Sequence, residues 1–370
     1  MAHRRQKLAI LGCIGILLFA MGVLYGPMLI HPRQTYWAMD THLEKVPECT
    51  VTNVWGAIQK GWKDAEEICA PKPNCLITFY GEVQKALDIQ IVRDAQRTVV
   101  KLENGYVTFY APIEDCGQAK ALLELNQYLK ERGIPLLYVQ APHKICKYLP
   151  FLPYGMEDEI NPFVDHFLAQ LREGHCDVLD TRDFIKDDPP QHYRWFYRSD
   201  LHWTTDYSFL TYQKIVELMN QRYGFHVPAE LYATENFQQI KREEPFFGNE
   251  YRRVGRYYVQ RDKPYDTTPR FPTDVIKEGD RLINKNDTTG KKILFLCDSF
   301  GWLEMKNWLA LTCGQLLQTD LRGKHGAFTD TIEQFQPDLV IVLYCPENLA
   351  TPGVFDFRGK AENDDVLRNF

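Results

Sequence analysis

Three apolar runs constrain this chain more than any other feature. They are "IPLLYVQAP" from Ile134, "KKILFLCDS" from Lys291 and "PDLVIVLYCP" from Pro337. None alternates apolar with polar residues, so each reads as a strand covered on both faces. Such strands need helices over them, and helical patterns lie between them. One helix is expected over Cys116–Arg132, ending at Gly133, and another over Asn161–Glu173. A third lies in "TTDYSFLTYQKIVELMNQRYG", with Thr204 or Thr205 as N-cap, Asp206 in the first turn and Gly224 past the end. "CDVLDTRDFI" adds a short strand, and "TVVKLENGYVTFYA" reads as two strands around an Asn104-Gly105 turn. The expectation is an α/β domain with a mainly parallel central sheet, where ligands bind outside the carboxyl ends of the strands.

The N-terminus carries a different signal. Arg4, Arg5 and Lys7 precede a stretch without charge from Leu8 to Ile30, longer than the roughly 20 residues that span a bilayer. The basic residues lie before it, which predicts a cytoplasmic N-terminus and an extracytoplasmic remainder. A cleaved signal peptide has a shorter apolar core and a small-x-small end, and this run has neither. The expected organisation is a cytoplasmic tail (1–7), a single-pass anchor (8–30), a connector (31–96) and the α/β domain (97–370). A net charge of −6 excludes broad nucleic-acid binding, since no stretch is basic enough to follow a phosphate backbone. Of ten cysteines, Cys13 lies in the anchor and nine beyond it, so at least one of the nine is left without a partner in the chain. Cys69 and Cys75 bracket a short loop that a disulfide can close. No Cys-x-x-Cys pair or His cluster has zinc spacing, so neither a structural metal nor a cofactor is expected.

The chemistry concentrates in two short segments. "CDSFG" (Cys297–Gly301) places Ser299 just past the strand Ile293–Cys297, at a carboxyl end of the expected sheet. A serine there is either a nucleophile or a helix N-cap, a role Asp298 fills equally well. "YRSDLHWTTDYSF" places Asp200, His202 and Trp203 directly before the third helix. An Asp two residues before a His can accept the imidazole Nδ1–H, leaving Nε2 to take a proton from a serine. The competing reading makes Asp200 and His202 ordinary capping or hydrogen-bonding groups. With Ser299 as nucleophile, its own backbone N–H at the start of a helix would help hold an oxyanion.

These segments, with their surroundings, resemble the AlgX/AlgJ-type branch of the SGNH-hydrolase-like proteins and their relatives named for a DHHW motif. "DLHWT" and "CDSFG" stand in the order of that branch's Asp-x-His-Trp and Gly-Asp-Ser-Phe motifs. "LENGYVTFY", "GIPLLYVQAPHKICKY", "FFGNEYRRVG" and "PDLVIVLYCPEN" resemble its hairpin, its Pro-x-Lys segment, its Phe-x-Gly-Ser segment and its closing strand. The resemblance implies an SGNH-hydrolase-like three-layer sandwich, with Ser299, His202 and Asp200 in the triad roles. It departs at Leu201, where the motif has a second His, and at Cys297, where it has Gly. A side chain where glycine marks close backbone approach is expected to narrow the site or alter its turn.

The remaining site residues are expectations of lower specificity. Gly248 and Asn249 in "FFGNEYR" are candidate oxyanion donors or an ordinary surface turn. Lys144, Trp203 and Arg253 are candidate substrate contacts, although Lys144 reads equally as structural and Trp203 as packing beneath the His loop. The aromatic "QHYRWFYRSD" suits either sugar stacking or core. A Cys297 nucleophile is disfavoured, because a Cys ending a buried strand is usually packing. By the resemblance, the function is serine O-acyl transfer, acetyl foremost, onto a cell-surface polysaccharide or glycopolymer. The acyl group would come from a donor or from a multi-spanning membrane-bound O-acyltransferase. A carbohydrate esterase with the same triad and a non-catalytic polymer-binding protein of the same fold are the alternatives.

Overall fold

The computed structural model describes residues 90–93, 98–198, 200–241, 265–287, 289–302, 304–322 and 328–358. The expected Leu8–Ile30 anchor, most of the expected connector, and the Cys69 and Cys75 loop lie outside these residues. Among the described residues no helix is long and apolar enough to cross a membrane.

The chain enters through a small antiparallel sheet, β1 (Ile91–Arg93), β2 (Thr98–Lys101) and β3 (Val107–Tyr110). The β2–β3 hairpin turns where Asn104-Gly105 predicts it, with Gly105 at φ 84° and the Asn104 side chain accepting from Tyr106 N–H at 3.2 Å. Glycine suits that left-handed position because it carries no Cβ to clash. Pairing already includes Ile91–Arg93, so the ordered sheet starts a few residues before the expected domain boundary.

The apolar runs form the centre. Helix α1 (Gln118–Lys130) leads to β4 (Leu136–Gln140), and α2 (Ile160–Glu173) leads to β5 (Asp177–Asp180). After α3 (Pro189–Arg194) and the long α4 (Thr205–Arg222) comes an antiparallel ribbon, β6 (Phe237–Lys241) with β7 (Tyr265–Pro269). Then follow β8 (Val275–Glu278), β9 (Arg281–Asn284), β10 (Lys292–Cys297), α5 (Ser299–Trp302), α6 (Met305–Ala310) and β11 (Gln315–Thr319). Helix α7 (Thr329–Phe335), β12 (Leu339–Tyr344) and α8 (Pro346–Leu349) close the described chain.

The main sheet runs β5-β4-β12-β10-β11-β9-β8. Its first five strands are parallel, as the continuous apolar runs require, with β12 and β4 buried along their whole length. Strands β9 and β8 add on antiparallel, which makes the sheet mixed. Their half-exposed sequences, "RLIN" and "VIKE", carry no apolar run and gave no strand signal. Helices α1 and α2 pack on each other, as do α4 and α6. Strands β10, β12, β4 and β5 are parallel and all end toward one edge, and the segments after them build the site.

Candidate active site

The loop carrying Asp200 and His202 is folded back on itself before α4. Phe196 and Trp203 form an antiparallel bridge, Thr204 N–H donates to Trp195 O at 2.7 Å, and Tyr197 N–H donates to His202 O at 3.3 Å. Between these ties the chain turns tightly enough for the Asp200 carboxylate to reach its neighbour. Asp200 Oδ1 accepts both the His202 main-chain N–H at 2.7 Å and the ring Nδ1 at 2.6 Å. An ionised carboxylate only accepts, so Nδ1 carries the proton and Nε2 presents its lone pair. That nitrogen lies 2.8 Å from Ser299 Oγ, 97 positions along the chain. Asp200 is fully buried and His202 is 4% exposed, which removes the water that would compete for this hydrogen-bond chain.

The serine's presentation answers the capping question. Asp298 is the cap: its Oδ1 accepts from Phe300 N–H at 2.9 Å, and its main-chain carbonyl accepts from Gly301 N–H at 3.0 Å. The second carboxylate oxygen accepts from Cys345 N–H at 2.7 Å and the Asn348 side-chain amide at 2.8 Å, clamping the turn to the start of α8. Burial pushes the Asp298 carboxyl above its ordinary range, against the Cys345, Asn348, Arg322 and Phe300 groups that favour its charge. Arg322 grips the Asp320 carboxylate through Nε and Nη2 and also donates to Asn348 Oδ1. Ser299 is therefore released from capping. Of the first three amides of α5, Phe300 and Gly301 are taken by Asp298, and the Ser299 N–H has no acceptor among the described residues. Asp298 was named from the sequence as a cap candidate; Asn348, Phe300 and Arg322, and the contacts brought from α8 and the segment after β11, were not.

Phe300 joins the two motifs. Its ring lies 5.0 Å from the His202 ring and 5.2 Å from Trp203, and Trp203 Nε1–H donates to its carbonyl at 3.2 Å. Trp203 is only 1% exposed, so of its two readings the packing one fits: it is a floor beneath the dyad and not a substrate contact. Lys144 likewise takes its structural reading. It is fully buried at the end of β4, where Nζ donates to Val107 O at 2.5 Å and to Asp200 O. Its long stem reaches under the Asp200 loop, where no substrate meets it, and ties that loop to the hairpin. The aromatic "QHYRWFYRSD" segment is core, with Tyr193, Phe196 and Tyr197 all buried. Gly248, Asn249 and Arg253 lie outside the described residues.

Cys297 does not narrow the site. Its thiol is buried against Gly301 and accepts from the Gln318 side chain at 3.4 Å. A Cβ on Gly301 would come within 2.7 Å of Cys297 Cβ and Sγ, so here Gly301, four positions along the turn, provides the close approach. Burial also pushes the Cys297 thiol well up, which disfavours the thiolate needed of a nucleophile. Among the described residues no group of three His, Cys, Asp or Glu side chains is placed to hold a metal ion.

Comparison with known proteins shows what this geometry is similar to. Residues 113–290, which include Asp200 and His202 and stop short of Ser299, match the family model described as "SGNH hydrolase-like domain, acetyltransferase AlgX". The structure of Bacillus cereus PatB1 carrying a sulfonyl adduct is similar over 73% of this chain and 99% of its own, at 18% identity and a TM-score of 0.60. A DHHW family protein from Eubacterium siraeum is similar over 74% and 99%, at 15% identity and a TM-score of 0.53. At these identities the likeness is one of fold. No curated protein sequence matches the chain. Over residues 113–290 the chain is therefore similar to an SGNH hydrolase-like domain of the AlgX acetyltransferase kind, the scaffold of an acyltransferase or esterase.

Proposed function

We propose that this protein is a membrane-anchored, extracytoplasmic O-acyltransferase that acetylates a cell-surface polysaccharide or similar glycopolymer through an acyl-serine. The observation that carries the reading is the chain of contacts from Ser299 Oγ to His202 Nε2 at 2.8 Å and from His202 Nδ1 to Asp200 at 2.6 Å. In the first half-reaction Ser299 Oγ adds to the carbonyl carbon of an acyl donor and gives its proton to His202 Nε2. The tetrahedral adduct collapses, and His202 returns the proton to the departing donor oxygen. In the second half a sugar hydroxyl gives its proton to His202 and attacks the serine ester, and the proton then restores the Ser299 hydroxyl. Asp200 stays ionised throughout, holding the ring and offsetting the imidazolium charge. The Ser299 N–H supplies one oxyanion donor, and Gly248 and Asn249 are where a second is sought. Water in place of the sugar would make the same machinery an esterase.

The Leu8–Ile30 run and the basic residues before it support placing the domain outside the membrane. A multi-spanning membrane acyltransferase is the natural source of acyl groups there, since an anchored partner needs no diffusible donor. The test uses the full chain in detergent with p-nitrophenyl acetate. Turnover should be lost in Ser299→Ala and His202→Ala, and mass spectrometry should find acetyl on Ser299 of the wild type. A well-folded wild type with neither turnover nor an acetylated Ser299, alone or with its membrane partner, would sink the proposal.

A further inference from the structure

The site has one large aromatic ring that its own packing does not use. Trp302 is the last residue of α5, one helical turn beyond Ser299. Residues three apart on a helix share a face, with Cβ atoms about 5–6 Å apart, so Trp302 and Ser299 leave α5 on the same side. Its position is fixed: Nε1–H donates to Cys297 O at 3.3 Å, at the root of the same turn. Yet Trp302 is 46% exposed, whereas Trp203 and Phe300 of the two motifs are 1% and 0% exposed and Trp308 of the next helix is 2%. An indole needed only for packing would be covered like these. This one is held by its polar edge with much of its apolar surface left in water.

We propose that Trp302 is the platform of the acceptor subsite, on which one sugar ring of the glycan lies while its hydroxyl meets Ser299 and His202. The axial C–H groups on one face of a pyranose are apolar and slightly positive, and the indole face carries the negative lobe of its quadrupole, so the two are complementary. A ring already fixed by its N–H loses little conformational freedom on binding. The platform accepts a neutral sugar and asks for no charge on it. This inference rests on the acyl-transfer reading and deepens it by naming where the acceptor sits.

The test measures acetyl transfer from p-nitrophenyl acetate to oligosaccharide probes (cellohexaose, chitohexaose and mannohexaose) by the full chain. Wild type is compared with Trp302→Ala, Trp302→Phe and, as a second exposed aromatic off α5, Tyr154→Ala. Trp302→Ala should raise the acceptor KM about three- to tenfold, by a larger factor than any change in p-nitrophenyl acetate hydrolysis, and Trp302→Phe should recover most of the loss. Tyr154→Ala should leave the acceptor KM where it was. Equal factors on ester and acceptor, with Phe no better than Ala, would overturn the platform while leaving the acyl-enzyme intact. An acetylated Ser299 that passes its acetyl only to water, whatever the glycan, would instead overturn the acyl-transfer reading and the platform with it.

Discussion

At the scale of single residues, the site is a set of hydrogen bonds whose directions are fixed by charge. Asp200 accepts twice from His202, once from the main chain and once from the ring. Asp200→Asn keeps one acceptor oxygen but loses the charge that balances an imidazolium and fixes the tautomer. Its kcat on p-nitrophenyl acetate should fall on the order of 10³–10⁴-fold, with the thermal midpoint little changed. A fall of less than tenfold would remove Asp200 from the triad. Asp298 lies next in sequence to the serine and does a different job. Asp298→Asn would turn an amide N–H₂ toward the Cys345 N–H and the Asn348 amide, or toward Phe300 N–H. A donor facing a donor in a buried turn costs about 1–3 kcal/mol, so this variant should lose stability first and activity as a consequence. Chemical denaturation measures the difference: unchanged stability would mean that the clamp is not what holds the turn. Asp200, His202 and Ser299 were legible in sequence because each motif keeps its partners within a few residues or at a strand end. Trp302 was passed over, although its spacing from Ser299 is one helical turn, because exposure cannot be read from an i, i+3 pattern.

At the scale of elements, the turn between β10 and α5 shows a pair of residues that make sense only together. The bulk of the Cys297 side chain sits where Gly301 leaves room, and a Cβ on Gly301 would also lie 2.7 Å from Phe295 Cζ. Gly301→Ala should therefore destabilise by about 1–3 kcal/mol through overpacking and slow acetylation of Ser299. Cys297→Gly should relieve part of that loss, leaving the Phe295 contact, and the double-mutant cycle should show a coupling of about 1 kcal/mol. Strict additivity would mean that the two residues do not share space. Other elements divide by the strength of their periodic signal. The helices Gln118–Lys130, Ile160–Glu173 and Thr205–Arg222 fall within one or two residues of the stretches expected from apolar spacing. Strands β8 and β9 escaped notice because a hairpin half open to water needs no apolar run, and what joins it to the main sheet is the pairing of β9 with β11, about 30 residues further along the chain. Lys144 stayed open between a structural and a substrate-contacting reading for a related reason. A lysine is usually solvated, and only the tertiary fold brings the Val107 and Asp200 carbonyls to its ammonium.

At the scale of the whole molecule, the buried groups that hold the site loops also set how stability responds to acid. His192, on α3, is 2% exposed, and its Nε2 meets the Lys144 carbonyl at 3.0 Å, beneath the lysine that supports Asp200. Burial lowers its pKa to about 3; the Lys144 and His143 carbonyls oppose that shift, and the His143 and Lys144 charges add to it. In the unfolded chain this ring titrates near its ordinary value of about 6.5. Between those two values the unfolded state binds the proton and the folded state does not, so stability falls as pH drops through the window and is unaffected above it. At pH 5 the loss from this one ring is about 2 kcal/mol, from roughly 1.4 kcal/mol per pH unit below 6.5. His192→Gln can keep a donor toward the Lys144 carbonyl and carries no titratable ring. Denaturant unfolding of the full chain at pH 7 and pH 5 should therefore show a stability gap about 2 kcal/mol smaller in the variant than in the wild type. The comparison cancels the carboxylates, which titrate alike in both proteins. Equal gaps would mean that His192 takes its proton in the folded state as readily as in the unfolded chain, and that the support beneath Asp200 is open to water.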